Sequence, residues 1–173
     1  MPSSDRTVLE LYHDKAFFHL LVDSYRRIVG KPLVADDRDA SWLYHHAPFA
    51  VVAHNTDIDP IFIYANISAQ RCFEYDWEEF TSLPSRLSAE VPNRADRQLL
   101  LDKVTRDGYA SGYRGARIAK SGRRFWIEDG CVWQLMGQFV KGTDKPQHFR
   151  SSIRRSNASF LLELRRLCFS LAV

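Results

Sequence analysis

A strand that runs directly into two short capped helices constrains the fold of this chain more than any other feature. The stretch from Pro60 to Ala89 reads PIFIYANISAQRCFEYDWEEFTSLPSRLSA. Ile61 to Ala65 is β-branched and aromatic, which suits a half-buried strand. Asn66 can then cap a helix, and Asp76 with Glu79 forms a second cap signal of the capping-box type. Helices this short cannot bury themselves, so they must pack on a sheet.

The segments on either side of this stretch supply the other strands and a longer helix. Phe49 to His54 predicts a first strand, which an Asn- and Asp-rich hairpin turn over residues 55–60 joins to the second. A helix is predicted from Asn93 to Asp107. Asn93 with Asp96 supplies the start, and Asp107 with Gly108 supplies the end. Two long strands follow, Tyr109 to Ala119 and Arg123 to Met136. This order predicts an α+β fold with a curved antiparallel sheet.

The two long strands carry an apolar pattern and a charged one. The odd positions of the last strand predict one apolar face that only Asp129 interrupts. The apolar residues at these positions are Phe125, Ile127, Cys131, Trp133 and Leu135. Arginines cluster across the hairpin at Arg114, Arg117, Arg123 and Arg124. We expect their charge to alternate with that of Glu128 and Asp129 on a solvated face, and docking of an acidic partner is the alternative.

The N-terminal segment predicts one further helix. Gly30 followed by Pro32 supplies the end of this helix. The apolar residues that recur at helical spacing before it are Phe17, Leu20, Leu21, Tyr25 and Ile28. This helix is expected to pack on the sheet, or on a second copy of itself in a homodimer.

Four separated segments resemble the MEKHLA-domain family, a PAS-like family, over roughly residues 16 to 136. They read LYHHAPFAVVAH, DPIFIYAN, WEEFTSLPSRLSAE and YRGARIAKSGRRFWIEDGCVWQL, and they stand in the family's order. The resemblance is to bacterial, stand-alone members. It implies a PAS-like curved antiparallel sheet of four to five strands with helices on one face, plus an N-terminal helix. It also implies a role in sensing or regulation without a defined reaction.

The C-terminal end departs from the family pattern. We therefore divide the chain into a MEKHLA/PAS-like domain over residues 1–136 and an atypical basic tail over residues 137–173. A PAS sheet needs a fifth strand after the Trp133 region, and only Gly137 to Val140 is a candidate. Apolar residues from Asn157 to Leu171 predict a helix instead. We hypothesise that this end arose from a changed reading frame or is an unrelated replacement, and the DNA sequence of the gene tests that hypothesis.

Composition limits the compartment and the partners. The chain has 173 residues, which suffices for a core without disulfides or metal, and its three cysteines form no CxxC pair. No stretch approaches the roughly 18 apolar residues of a membrane span, so a cytoplasmic protein is expected. The net charge of +3 is concentrated in the tail, which holds seven Lys and Arg against two acids, while the remaining 17 basic and 19 acidic residues leave the core near −2. Nucleic-acid binding is therefore not expected.

Neither a catalytic motif nor a cofactor signature is present, and we expect no enzyme activity. The chain lacks GxSxG, HExxH, GxGxxG and the phosphate-binding GxxxxGK[ST] pattern. His54 with Asp57 and Asp59 fits no metal-ligand spacing. Light-sensing flavin domains of this fold use a Cys within an Asn-Cys-Arg run, which this sequence lacks, and Cys72 is expected to be a small buried hydrophobe. The helix from Asn93 to Asp107 contains no His that could bind haem. The cofactor, if any, is unassigned.

The remaining candidate site is aromatic. Pockets for small ligands are mostly apolar with a few polar groups that orient the guest. The residues expected to line such a pocket are His54, Phe62, Tyr64, Phe73, Trp77, Phe80, Phe125, Cys131 and Trp133; the alternative is that their rings only fill the core. The function predicted is a PAS-like sensory or regulatory domain that binds a small ligand or a protein partner. An interaction module that docks through the basic tail, or a small unrecognised enzyme, are the alternatives.

Overall fold

A five-stranded antiparallel sheet organises the protein, and helices cover both of its faces. The computed structural model describes residues 10–55, 57–89, 94–136 and 165–169. The helices are α1 Lys15–Val29, α2 Ala40–His45, α3 Ile67–Phe73, α4 Trp77–Phe80 and α5 Arg94–Asp107, with a 3₁₀ turn at Ser85–Ser88. The strands are β1 Ala50–His54, β2 Phe62–Ala65, β3 Tyr109–Ile118, β4 Arg124–Gln134 and β5 Arg165–Phe169. The predicted α+β class and PAS-like element order are confirmed.

The strands are ordered β2-β1-β5-β4-β3, so the last strand of the sequence lies at the centre of the sheet. Hairpins join β1 to β2 and β3 to β4, as predicted, and both pairs are antiparallel. In the first hairpin the side chain of Asn55 accepts from the Ile61 amide at 2.9 Å. A turn residue that supplies its own hydrogen bonds explains why the Asn- and Asp-rich segment reverses the chain there.

The ends of the helices follow local side-chain chemistry. Asp14 accepts from the Phe17 amide at 2.9 Å, and Gly30 ends α1 at a φ of 81°. Asn66 caps α3, and Asp76 with Glu79 forms the predicted capping box at α4. Each cap satisfies amide groups that the first turn of a helix leaves without intrahelical partners.

Helix α2 was not predicted, and only the end of helix α5 can be compared with its prediction. Asp39 caps α2, accepting from the Trp42 amide at 2.8 Å, in a region where the sequence predicted no helix. At α5 the Asn93 position lies outside the described residues. The helix itself ends at Asp107, and Gly108 follows it at a φ of 80°.

Helix α1 packs on the sheet of its own chain. Tyr25 contacts Trp133 of β4 edge to face, with ring centroids 4.9 Å apart. The Ser24 hydroxyl accepts from the Met136 amide at 2.8 Å. Phe17 and Leu21 are each 1% exposed, so these apolar side chains of α1 are covered without a second copy.

A register shift separates side chains of β1 and β2 onto different faces. The pairing shifts between Ala53 and His54. Phe62 then packs with α3 and α4, whereas Tyr64, two positions along, packs with α1. An extra residue in one strand moves the residues beyond it to the other face, because the side-chain period of a strand is two.

The β3–β4 hairpin contains two such shifts, one on each side of Tyr113. Gly112 and Asp129 lie within them at φ values of 69° and 51°. The single apolar face predicted for β4 is therefore wrong. Its members divide between the two faces: Phe125 and Ile127 pack with α3 and α4, whereas Cys131, Trp133 and Leu135 pack with α1.

We call the side of the sheet that carries α3, α4 and α5 the helix face, and the opposite side the α1 face. The core of the helix face includes Ala50, Val52, Phe73, Phe80 and Ile127, with Val104 of α5 packed farther along against Ala110 and Val132. The core of the α1 face includes Val51, Ala53, Leu43, Tyr64 and Trp133. The sheet thus has two apolar layers, one on each side.

The fifth strand comes from a different segment than predicted. Arg165–Phe169 forms β5 and pairs with both β1 and β4. The helix predicted from Asn157 to Leu171 is wrong over these five residues, and the alternative strand at Gly137 to Val140 lies outside the described residues. Residues on both sides of the predicted boundary at residue 136 therefore share one sheet. The apolar spacing misled because a short apolar run fits a helix and a buried strand equally well.

Candidate functional site

The nine predicted ligand-binding residues do not converge on one pocket. The structure brings Phe62, Phe73, Phe80 and Phe125 together on the helix face, with His54 beside Phe62. It places the other four with the α1 face: Tyr64, Trp77, Cys131 and Trp133. The register shifts produce this division, because they reverse the alternation on which the sequence argument relied.

The four phenylalanines of the helix face form what we call the phenylalanine cluster. Phe73 lies at its centre, with ring centroids 5.3 Å from Phe80 and 4.9 Å from Phe125, and Phe62 lies 4.9 Å from Phe80. All three contacts are edge to face, which is a favoured geometry for aromatic pairs. Phe62, Phe73 and Phe80 are at most 1% exposed. The cluster joins α3 and α4 to the sheet and fills the space between them.

A buried arginine lies next to this cluster, although the alternation of charge in the sequence predicts it on the solvated face. Arg117 is 8% exposed, and its register partner is Phe125, a member of the phenylalanine cluster. Its guanidinium donates to the Tyr113 hydroxyl and to the Ala116 carbonyl, each at 2.9 Å. Buried charged groups are retained where hydrogen bonds satisfy them.

Gly115 makes room for this pair. A Cβ atom at that position would lie 2.2 Å from the Tyr113 hydroxyl oxygen, so the Tyr113 ring lies across the glycine. The guanidinium carbon of Arg117 is 5.4 Å from the centroid of the same ring. Gly115 therefore fixes the position from which Tyr113 meets Arg117. The signal in the sequence was a glycine flanked by Tyr113 and Arg117 at alternate positions, and without the fold it had no meaning.

The other arginines of the predicted cluster serve different contacts. Arg114 forms an ion pair with Glu128 at 3.2 Å, in line with the predicted alternation of charge, and its guanidinium lies 4.5 Å from the centroid of the exposed Trp126 ring. Arg123 pairs with Glu74 at 2.8 Å across the sheet edge. Arg114, Arg117 and Arg123 thus have separate partners and do not form one patch.

Ion pairs connect α3 and α4 to the tip of the β3–β4 hairpin. Besides its bond to Arg123, Glu74 accepts from the Ser121 amide at 3.2 Å. These hydrogen bonds, that of Ser121 first, lower the pKa of Glu74. Glu79 pairs with Lys120, and this hydrogen bond raises the pKa of the lysine. The two carboxylates hold the short helices over the sheet.

His54 takes part in the first hairpin. Its Nδ1 lies 2.8 Å from the Asn55 carbonyl oxygen, and its ring centroid is 6.4 Å from that of Phe62. Asp57 accepts from the Asn55 side chain at 2.7 Å, and Asp59 pairs with Arg86 at 3.0 Å. The two carboxylates have roles in the turn, and the described residues contain no group of three or more side chains placed to hold a metal ion.

On the α1 side, Tyr12, Tyr44, Tyr64 and Trp77 form a second aromatic group. Tyr12 stacks on Tyr44 at 4.7 Å and meets Trp77 edge to face at 4.8 Å. The gap between α1 and Tyr64 has no room for a water-sized molecule, at about 0 Å³. These four rings therefore fill the core on the α1 side. Because Trp77 and Tyr64 pack there, they do not contact the phenylalanine cluster.

A cleft of about 170 Å³ lies between α1 and residues 32–38. It is lined by Phe18, Val22 and Leu33 together with charged residues such as Asp23 and Arg26. Arg26 also pairs with Asp36 across the cleft. None of the nine predicted site residues lines it.

The described cysteines are half-buried. Burial raises the pKa of Cys72, which packs against the phenylalanine cluster, and the neighbouring Arg123 opposes this shift. Burial also raises the pKa of Cys131 on the α1 face. Burial is thus the largest influence on the pKa of both described thiols, and it is opposed by a neighbouring Arg123 at Cys72 and by Tyr25 and Lys31 at Cys131.

Comparison with known proteins gives a family and a fold. The sequence model described as the MEKHLA domain matches residues 15–143. No curated protein matches the chain. Within the described residues, no helix combines the length and the apolar composition needed to cross a membrane.

Solved structures resemble this chain in fold at low identity. An RNA-binding light-oxygen-voltage receptor aligns with a TM-score of 0.51 and 17% identity over 82% of this chain and 36% of that protein. A PAS domain from Colwellia psychrerythraea gives 0.47 and 14%, covering 74% of this chain and 90% of the other. The LOV domain of a blue-light activated histidine kinase from Erythrobacter litoralis gives 0.49 and 12%, covering 72% and 95%.

Proposed function

Because this chain belongs to the MEKHLA domain family and has a PAS-like fold, we propose that it is a non-catalytic sensory or regulatory domain that binds a small ligand on its helix face. The observation that carries the proposal is the buried Arg117–Tyr113 pair beside the phenylalanine cluster. Ligand sites combine apolar walls with a few fixed polar groups, and here the polar pair lies beside Phe125 of the apolar cluster on the same face of the sheet.

The ligand class follows from the polar pair. A guanidinium presents several donors in a fixed plane and pairs with carboxylates in a two-pronged geometry. The Tyr113 hydroxyl accepts a hydrogen bond from Arg117 and can donate its own proton to the carboxylate of the ligand. The guest is therefore a small molecule with an apolar body that packs on Phe125 and a carboxylate that meets Arg117.

Sensing requires that the guest favour one packing over another. The phenylalanine cluster is closed, so entry of a ligand has to move α3 and α4 away from the sheet. The pairs Glu74–Arg123 and Glu79–Lys120 resist that movement. A ligand shifts the equilibrium only by the difference between its affinities for the closed and open packings. Phe62 and Tyr64 are two residues apart on opposite faces, and movement of β2 would reach α1 through them.

The first test asks whether a compound is bound. The purified full chain is examined by native mass spectrometry and by absorbance, before and after denaturation. A small molecule released on denaturation supports the proposal. Its class is then checked by thermal unfolding with a panel of small apolar carboxylates and their matched amides. Carboxylates should raise the melting temperature and the amides should not.

Variants place the effect at the site. Arg117→Met should abolish the carboxylate shift, whereas Arg114→Met, which alters an exposed arginine of the same strand, should retain it. Gly115→Ala should weaken the shift because it displaces Tyr113. An equal response of Arg117→Met and wild type would exclude this site. A chain that carries no compound and responds to neither panel contradicts ligand sensing altogether.

A further inference from the structure

Two cysteines from distant parts of the sequence occupy directly opposite positions in the centre of the sheet. Cys131 of β4 and Cys168 of β5 are Cα partners in the antiparallel ladder. On the other side of β5, Cys168 is the partner of Val51 in β1. The three residues form one row across three adjacent strands, and Val51 and Cys131 both pack on the α1 face. The row therefore places both cysteine positions on that face.

The backbone spacing of such a pair suits a disulfide. Opposite residues of antiparallel strands have Cα atoms roughly 4.5 or 5.5 Å apart. Disulfides join residues whose Cα atoms are about 4.4–6.8 Å apart, so either type of pair lies in range. Cys72 belongs to α3 and packs on the helix face, on the other side of the sheet. The sheet separates it from this row.

We propose that Cys131 and Cys168 are a redox-sensitive pair that forms a reversible disulfide and thereby fastens β5 into the sheet. The oxidant is a low-molecular-weight disulfide such as oxidised glutathione. One protein thiolate attacks a sulfur of the oxidant, forming a mixed disulfide and releasing one glutathione thiolate. The second protein thiolate then attacks the protein-side sulfur of that mixed disulfide and releases the second glutathione. The two protein thiols are oxidised, the oxidant is reduced to two thiols, and those thiols take up the two protons.

The surroundings of Cys131 set the conditions for the reaction. Burial raises the pKa of its thiol, while a hydrogen bond with Tyr25 and the charge of Lys31 act in the opposite direction and Asp129 adds to the rise. The thiolate is the attacking species, so exchange becomes faster as the solution becomes more alkaline. Cys131 is half-buried, which leaves a part of the residue accessible to a small oxidant.

The consequence of the bond concerns β5. This strand pairs with β1 and β4 through its backbone, and the segment that leads to it from β4 spans residues 135–164. A covalent bond between β4 and β5 keeps the strand close to its place whenever the ladder opens. The reduced and oxidised chains should therefore differ in how readily the C-terminal segment leaves the sheet. The pair lies on the α1 face, away from Arg117, so it is independent of the proposed ligand site.

The test uses the full chain without denaturant. Wild type and Cys72→Ser are treated with oxidised glutathione, and the intact mass is measured without reduction. Each should lose two hydrogen atoms and become protected from alkylation at two cysteines, and a peptide map should show Cys131 joined to Cys168. Cys131→Ser and Cys168→Ser should give neither the mass loss nor the linked peptides. Dithiothreitol should reverse the change.

A second measurement does not depend on whether the variants fold. Wild type is oxidised in strong urea, where the three cysteines pair without guidance from the sheet, and mapped in the same way. The folded chain should give one linkage where the unfolded chain gives several. The proposal is overturned if the folded chain yields the same mixture, links Cys72, forms only disulfides between chains, or keeps all its thiols reactive. Limited proteolysis should then show slower loss of the C-terminal segment in the oxidised chain than in the reduced chain, and equal rates would remove the proposed effect on β5.

Discussion

The buried side chain of Asn66 makes four hydrogen bonds to backbone groups, and its removal gives a quantitative test of the fold. The residue is 0% exposed. Its Oδ1 accepts from the amides of Val51 and Ala69 at 2.9 and 3.1 Å. Its Nδ2 donates to the carbonyls of Leu43 and Phe49 at 3.2 and 2.8 Å. One amide group thus connects the start of β1, the end of α2 and the first turn of α3.

Asn66→Ala leaves these four backbone groups without their partner. A buried donor or acceptor that loses its partner costs about 1–3 kcal/mol. The two amides of Val51 and Ala69 alone would lower the free energy of unfolding by about 2–6 kcal/mol. We expect a decrease from the middle of this range, about 3–5 kcal/mol. Domains of this size are stable by only about 5–15 kcal/mol, so the variant should be close to its limit.

The assay is urea unfolding followed by tryptophan fluorescence, with Asp39→Ala as the matched control. Asp39 makes one cap bond, to the Trp42 amide at 2.8 Å, and it is exposed. Loss of an exposed cap costs about 1 kcal/mol. Asn66→Ala should therefore lower the urea midpoint several times more than Asp39→Ala at an unchanged slope. A loss equal to or smaller than that of the control would refute the claim that four bonds act together.

The carboxylate variant adds a test of sign. Asn66→Asp keeps an acceptor for the two amides but turns a second oxygen toward two carbonyl oxygens. Burial and these carbonyls disfavour the ionised form, so the folded-state pKa of the new group should exceed its unfolded value of about 3.9. Below about pH 4 the new carboxyl group is protonated in both states, so Asn66→Asp should be at its most stable there. As the pH rises through the folded-state pKa the variant should lose stability relative to wild type. A deficit relative to wild type that does not grow with pH would contradict the described geometry.

Four further expectations concern the bulge at Asp129, the Glu74–Arg123 ion pair, the Cys72 thiol and the C-terminal tail. Asp129→Val should cost about 1–2 kcal/mol because a β-branched residue does not tolerate a φ of 51°, while Asp129→Gly should stay within about 0.5 kcal/mol of wild type; equal urea midpoints for the two variants would deny the bulge. Glu74→Gln should lower the melting temperature at neutral pH. Since the pKa of Glu74 is lowered by its hydrogen bonds to Ser121 and Arg123, the difference from wild type should vanish as the pH falls through that lowered value; a difference that persists in acid would contradict a stabilising role of the Glu74 carboxylate. Cys72 should react with iodoacetamide more slowly than a free cysteine peptide at about pH 8, and faster as the pH rises, because burial raises its pKa; a rate equal to that of the peptide would show an accessible thiol. Deletion of residues 141–173 removes β5 and leaves two separate hairpins, β1–β2 and β3–β4, without the strand that joins them, so the shortened chain should lose cooperative thermal unfolding; a sharp transition near that of the full chain would contradict the central position of the strand.

The sequence by itself determined the local elements. Asn66 and Asp76 began their helices where predicted, because a cap is a bond between a side chain and amides two or three residues away. The first four strands and the hairpin turn at residues 55–60 followed from composition and alternation in the same way. These contacts lie within a few residues, so they can be deduced without knowledge of the partner elements.

Only the tertiary structure decided which residues share a site. The register shifts near His54 and Tyr113 depend on the pairing of two strands, and they sent Phe62 and Tyr64 to opposite faces. The burial of Arg117 depends on the Tyr113 ring and on its pairing with Phe125 of the neighbouring strand, and alternation of charge along one strand could not show it. The strand at Arg165–Phe169 forms because β1 and β4 each lack a neighbour there. Propensity describes what a segment can become, and pairing with distant segments selects one outcome.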